Sequence, residues 1–432
     1  MKDREPSLFP DLDVSEQGPG KNGRPARDGT PPEYHSSIWS FTGSGGNQLY
    51  RWYGTLPRPL VDRLLALYAP KPARVLDLFM GLGTTLAAAA DAGLAATGVD
   101  VNPLACLTAE AQLFGVPSVP AVLRGADALV NSRNEAAGPP PEGGRAWDEL
   151  LAQPRYAYAR KWFREDTLNA LLGLLFQIAE TKDKRVQRLQ FVAAAQVVRE
   201  VASVDPRCTH HLVTKKKPFV DPFLAWRERV REIAAAVRTE PADPRRTTVA
   251  QGSALRFPIA DDSADFLLIH PPYLGVIHYH LIHRLATDLF DLVRAARSPA
   301  SLRKYEFGYA AIKEADVSTD DTDRYRRFVR DLAGVARRVV APGGRCVVVI
   351  GDQRHRGHLR HPFTDFITAF EEDGFTLEEN FIWVLQNNGG MHVLRRGHYI
   401  DHNYILVFQE TSGARRRTKC PPSSSTTTTR SK

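Results

Sequence analysis

Residues Arg74 to Asp100 read RVLDLFMGLGTTLAAAADAGLAATGVD, and few folds accommodate such a run. A short apolar segment, Val75 to Phe79, leads into a glycine turn, Gly81-Leu82-Gly83. An alanine-rich run from Thr84 to Ala92 follows, then a second apolar segment that ends on Asp100. Short apolar runs bounded by glycine predict buried strands, and the alanine run predicts a helix. Strand, tight loop, helix and strand form the first half of a nucleotide-binding α/β unit. Glycine at 81 and 83 permits backbone angles or close approaches that a side chain would block. The loop ends at a helix N-terminus, whose free N–H groups attract anionic groups. An acid closing the second strand can accept hydrogen bonds from ribose hydroxyls.

The loop from Asp77 to Gly83 has the form D-x-F-x-G-x-G. It is neither the G-x-G-x-x-G of dinucleotide enzymes nor a P-loop with its lysine, and its spacing points to S-adenosyl-L-methionine rather than NAD or ATP. A second stretch, Asp265 to Tyr273, reads DFLLIHPPY. It predicts a buried strand that ends in His270-Pro271-Pro272-Tyr273. Two prolines stop the strand and fix the backbone beyond its C-terminal end, where ligands sit in open α/β sheets. A tyrosine held there offers a flat face to a base.

With both motifs in place, the chain resembles the amino-group DNA methyltransferases, which methylate the exocyclic amine of adenine or cytosine. Their signature pairs a D-x-F-x-G-x-G loop after the first strand with a (D/N/S)-P-P-(Y/F/W) tetrapeptide after the fourth. The resemblance runs from about Asn47 to Gln409 with an insertion in the middle. Asn47 to Gly54, Val101 to Leu104, Gln251 to Leu255, Leu302 to Gly308 and Gly351-Asp352 match smaller landmarks. Two positions depart from the pattern: His270 replaces Asp, Asn or Ser, and the acid expected near Ser253 is missing.

The resemblance implies a Rossmann-like methyltransferase fold, a seven-stranded and mostly parallel sheet with a helical insertion. It implies S-adenosyl-L-methionine held by Tyr53, Asp77, Phe79, Gly81, Gly83, Thr84, Thr85, Asp100, Asn102, Ser253 and Ala254. Asp100 would take the ribose hydroxyls, Gly81, Gly83 and Thr84 the methionine end, and Asp77 would order the loop or meet the amino group. The catalytic set would be His270, Pro271, Pro272 and Tyr273. An aryl amine becomes nucleophilic only as its nitrogen pyramidalises, so two acceptors aimed at its hydrogens favour the transition state. The His270 ring in neutral form and the Pro271 carbonyl would be those acceptors, with activity falling as His270 titrates near 6.5. Tyr273 would stack on a base flipped out of duplex DNA. Three functions stay open on these residues: a DNA amine methyltransferase, solitary or paired with a restriction-modification or defence partner; an RNA base methyltransferase; and a nucleic-acid-binding protein that keeps the fold with little catalysis.

The remaining chain is read around those motifs. Its 432 residues suit one large α/β domain with an insertion, or two domains. The net charge of +8 permits a polyanionic partner without demanding one. Four scattered cysteines form no C-x-x-C pair, which fits a reducing, cytoplasmic setting. No apolar run is long enough for a membrane span. Residues 1–45 and 411–432 read as disordered, 46–135 and 246–410 as the two halves of the methyltransferase domain, and 136–245 as linker and basic helical insertion. Between Arg155 and Arg238 stand 17 Lys and Arg against nine Asp and Glu, an excess as large as that of the whole chain. Lys161, Arg164, Lys215, Lys216, Lys217, His278 and Arg303 are the candidate nucleic-acid contacts, and a solvated helical face is the plainer account of any one of them. The spacings His278/His280/His283 and His355/His358/His361 suggest a metal, but the first has no matching carboxylate or cysteine and the second is crowded by arginines. No metal site is assigned. A polar face near the substrate and a phosphate-facing loop are the readings preferred for the two histidine sets.

Overall fold

The structure, a computed structural model, describes residues 38–41, 49–52, 54–133, 149–205, 213–238, 240–274, 279–293, 319–355, 358–384 and 402–411. In chain order they form β1 (Ile38–Ser40), α1 (Arg58–Tyr68), β2 (Arg74–Asp77), α2 (Thr84–Asp91), β3 (Ala95–Asp100), α3 (Pro103–Phe114) and α4 (Val119–Asn131). Then come α5 (Pro154–Arg160), α6 (Glu165–Ala179), α7 (Lys184–Val201), α8 (Pro222–Ala234), β4 (Thr247–Gln251), β5 (Ala264–Ile269) and α9 (Tyr279–Leu292). The last elements are α10 (Thr319–Val339), β6 (Val340–Gly351), β7 (Gln353–His355), β8 (His358–Arg360), α11 (Pro362–Glu372), β9 (Phe375–Val384) and β10 (His402–Glu410).

One sheet runs β1-β9-β10-β6-β5-β2-β3-β4. Strands β4, β3, β2, β5 and β6 are parallel neighbours, and β10 is antiparallel to both β6 and β9. Seven strands therefore form the expected mixed sheet, and an eighth joins its edge. Ile38–Ser40 lies parallel to Ile382–Val384 at the sheet edge. Trp39 anchors it at 1% exposure, stacked on Phe381 at 4.3 Å under the Arg63 guanidinium. One buried indole supplies enough apolar area to seat a three-residue strand. Residues 1–37 and 412–432 lie outside the described residues.

Strand alternation builds a core on each face of the sheet. Val75, Phe266, Leu268, Val347 and Val349 pack against α1 and α2 on one side. Leu76, Leu267, Ile269, Val348 and Ile350 pack against α10 and α11 on the other. Such doubly covered parallel strands read as continuous apolar runs, as these do. Within the β6 ladder Ala341-Pro342-Gly343-Gly344 makes a slip: the register shifts between Ala264↔Val340 and Phe266↔Arg345, with Gly343 at φ +74°.

The helical insertion has its own core, in which Leu168, Leu171, Leu175, Val192, Val197 and Trp226 are fully buried. Helix α4 contributes Val122, Ala126 and Val130 to this core. Leu285, Leu289 and Phe290 of α9 join it too, so the insertion packs directly against the helix that follows the His-Pro-Pro-Tyr motif.

Candidate active site

Strands β2 and β5 are parallel neighbours, with Asp77 opposite Leu268. The order of the sheet reverses between them, which opens a crevice outside their C-terminal ends. The glycine loop leaves β2 at that edge and His270-Pro271-Pro272-Tyr273 leaves β5 at the same edge. Both line one cavity of about 460 Å³.

On the loop side, Asp77 Oδ1 accepts from the Phe79 N–H at 2.9 Å. Asp77 therefore orders the loop, one of the two roles expected of it. Gly81 and Gly83 sit at φ +50° and +80°. A Cβ on Gly83 would stand 3.1 Å from that of Ala109 in α3, so the glycine serves both the turn and the close packing beneath it. Asp100 Oδ2 accepts from Gly81 N–H at 3.0 Å and Oδ1 from Asn102 N–H at 2.8 Å. Asn102 caps α3, its Oδ1 accepting from Leu104 N–H at 3.0 Å. Thr84, Thr85, Ser253 and Ala254 line the same cavity, as does the intermediate-exposure ring of Phe79.

These residues fit a cofactor that brings donors and positive charge. Burial pushes the Asp77 and Asp100 carboxyls up to about 6 against the hydrogen bonds that favour their charged forms. Asn102 Nδ2 is buried with no protein partner. A ligand with ribose hydroxyls, an amino group and a sulfonium charge would satisfy such walls.

On the other side, His270 Nε2 lies 3.2 Å from the Tyr273 hydroxyl, which donates to Asn403 Oδ1 on β10 at 3.0 Å. Burial lowers the His270 ring to about 4. That direction favours the neutral ring, where a value near 6.5 was expected of an unperturbed group. Tyr273 is only 6% exposed and its hydroxyl is tethered, so its free surface is the part facing the cavity.

Trp52, within the Asn47–Gly54 landmark, lines the cavity, and several further residues there were not marked by the motifs. Trp52 lies over Gly81, where an added Cβ would meet the indole Nε1 at 3.4 Å. Its ring stacks on His283 at 4.3 Å and on Tyr279 at 5.5 Å. His283 is 1% exposed and burial lowers it to about 3, so it is interior aromatic packing and not the polar face expected of this histidine set. Arg324, Arg327, Phe328 and Asp331 reach the cavity from one face of α10. Their i, i+3, i+4 and i+7 spacing was the available signal.

Other expected contacts are placed differently. Arg164 forms an exposed two-point pair with Asp166 at 2.7 and 3.1 Å. Lys217 Nζ donates to the Glu200 carbonyl at 3.1 Å. Lys215 N–H donates to the Ser203 carbonyl and Ser203 N–H to that of Trp162, which brings the backbone at Lys215 near that at Lys161. Residues 353–355 and 358–360 form an antiparallel hairpin. His361 Nδ1 pairs with Asp352 Oδ1 at 2.9 Å, so it is committed to a carboxylate rather than to phosphate. Tyr53, His278 and Arg303 lie outside the described residues. Among the described residues no cluster of His, Cys, Asp or Glu could hold a metal ion, and no helix is long and apolar enough to cross a membrane.

Sheet order, switch-point cavity and paired motifs fit an S-adenosyl-L-methionine-dependent methyltransferase. Residues 19–111 match the model of the DNA methylase family. The match spans the cofactor loop and stops well before His270. No curated protein matches the chain. Among solved structures, an S-adenosylmethionine-dependent methyltransferase from Methanosarcina mazei is 10% identical over 81% of this chain and 97% of its own, with a TM-score of 0.32. A provisionally assigned DNA modification methylase of Thermus thermophilus, solved with S-adenosyl-L-methionine, is 18% identical over 38% of this chain and 51% of its own, with a TM-score of 0.21. TrmN from the same organism is 14% identical over 85% and 53%, with a TM-score of 0.28.

Proposed function

We propose that this protein methylates the exocyclic amine of a base, cytosine N4 or adenine N6, flipped out of double-stranded DNA. The observation that carries the reading is the single cavity lined by both the Gly81 loop and the His-Pro-Pro-Tyr shelf. Bound S-adenosyl-L-methionine supplies an electrophilic methyl group. The chain's own residues prepare the amine. His270 and the Pro271 carbonyl accept from its two hydrogens, which favours the pyramidal nitrogen and draws its lone pair out of the ring. Tyr273 offers the shelf on which the base rests. The methylated nitrogen sheds one proton, for which the neutral His270 ring is an acceptor. Asp100 meets ribose hydroxyls with lone pairs left after binding the Gly81 and Asn102 N–H groups.

Lys161, Lys215 and Lys216 supply phosphate contacts from the insertion. The methyltransferase domain is then split by the insertion, whose start we place at α4. The decisive experiment is transfer of labelled methyl from S-adenosyl-L-methionine to DNA and RNA, with digestion of the product to nucleosides. N4-methyldeoxycytidine or N6-methyldeoxyadenosine is expected. Label confined to ribonucleosides would move the function to RNA, and cofactor binding without transfer would reject catalysis. Sequencing modified DNA from cells that express the protein then tests for a restriction or defence partner, which requires every copy of one site to be methylated.

A further inference from the structure

Asn403 makes no claim on attention in the sequence. It lies on β10, outside both motifs, and the structure buries it to 3% exposure beside the Tyr273 hydroxyl. Strand β10 brings it there because Asn403 pairs with Gly351 at the C-terminal end of β6, next to β5.

A phenol has one proton to give. Tyr273 gives it to Asn403 Oδ1 at 3.0 Å. The same phenol oxygen stands 3.2 Å from His270 Nε2, so toward the histidine it can only accept. The neutral ring must then carry its proton on Nε2, which leaves the lone pair on Nδ1.

We propose that Asn403 is a positioning residue that acts through Tyr273 to fix the Nε2–H tautomer of His270, making Nδ1 the ring's acceptor. This rests on the function proposed above only for what Nδ1 accepts from, the target amine. In chains with Asp, Asn or Ser at the first tetrapeptide position, an oxygen serves without such help. A histidine has one acceptor nitrogen and needs its tautomer set. The Asn403 oxygen and amide can exchange places by a half-turn of the side chain, so the assignment has to be tested on the ring itself.

The test is the tautomer of His270 read from long-range proton–nitrogen correlations of 15N-labelled protein near pH 7, in wild type, Asn403→Asp and Asn403→Leu. The expected result is an Nε2–H ring in wild type and in Asn403→Asp, which keeps an acceptor. In Asn403→Leu the tyrosine proton is free to turn to Nε2, and the ring should move toward Nδ1–H. Tyr273→Phe gives a second reading should Asn403→Leu fail to fold: removing the hydroxyl should leave a mixture of tautomers. An Nδ1–H ring in wild type, or an unchanged ring in both Asn403→Leu and Tyr273→Phe, overturns the proposal. Methyl transfer is measured on the same proteins. A fall of roughly a hundredfold in Asn403→Leu, with cofactor affinity retained and recovery in Asn403→Asp, supports it further. A switched ring with an undiminished rate overturns the link to catalysis. The expected ring states in a wild type that methylates no nucleic acid would uphold the tautomer assignment and reject the proposed function.

Discussion

The Gly81 N–H donates to Asp100 Oδ2 at 3.0 Å, joining the loop after β2 to the end of β3 across the floor of the cavity. The same carboxylate takes the Asn102 N–H at 2.8 Å. One side chain thus shapes the loop and faces the ligand. Asp100→Ala should weaken S-adenosyl-L-methionine binding by at least about 2 kcal/mol, the scale of lost charge-assisted bonds. That is about thirtyfold in Kd by calorimetry. Asp100→Asn keeps an acceptor for Gly81 and separates loop order from ligand contact. Unchanged affinity in both removes Asp100 from the cofactor site.

Cofactor affinity should also depend on pH. Burial raises Asp77 and Asp100 from 3.8 to about 6 in the ligand-free fold. A raised carboxyl contributes stability that is present below 3.8 and lost as pH rises through about 6. A ligand that brings donors and positive charge favours the ionised forms, so its affinity should increase between about pH 5 and 7 and level off above. Binding near pH 6 should release protons, seen as a heat that varies with buffer ionisation enthalpy. Equal affinity at about pH 5 and 7.5 would contradict this.

His270 titrates too low to set the acid limit in the usual range. Burial holds its ring near 4, so protonation should remove its acceptor only around that pH. Single-turnover rates at saturating cofactor should therefore show no His270-dependent loss between about pH 5.5 and 8. His270→Asn, which keeps an acceptor, should share that profile, while His270→Leu should fall roughly a hundredfold. An acid limb near 6.5 present in wild type and absent in His270→Asn would refute the low value.

Gly83→Ala should destabilise the fold by about 1–2 kcal/mol for its left-handed backbone. The contact of the new Cβ with Ala109 at 3.1 Å adds to this. Denaturant titration measures it, and a stability equal to wild type would show that the loop can relax without loss.

The insertion's arginines and lysines should behave differently. Arg164 is paired with Asp166, so Arg164→Ala should leave the salt dependence of DNA binding nearly unchanged. Replacing Lys161, Lys215 and Lys216 by Ala should lower affinity and reduce the slope of log K against log salt by about 0.9 for each phosphate no longer neutralised. An unaltered slope in the triple variant would place the DNA elsewhere.

Local rules made much of this fold legible. The boundaries of β3, β4, β5 and α3 follow from apolar runs and from the Asn102-Pro103 start of a helix, because capping and burial act over a few residues. Helix α4 was not legible, because its amphipathic face packs on α8, which follows only after the intervening helices of the insertion.

By itself the sequence determined the glycine loop, the His-Pro-Pro-Tyr shelf, the parallel strands beneath them and the excess of cations in the insertion. Each depends on neighbours in the chain, where backbone angles, capping and alternation are decided. Tertiary structure alone decided that Asn403 meets Tyr273, that Trp52 and His283 stack and that burial drives the His270 ring toward its neutral form. Those outcomes depend on which distant groups share a dry space, and the free energy of a proton or a charge is set by that enclosure rather than by chain order.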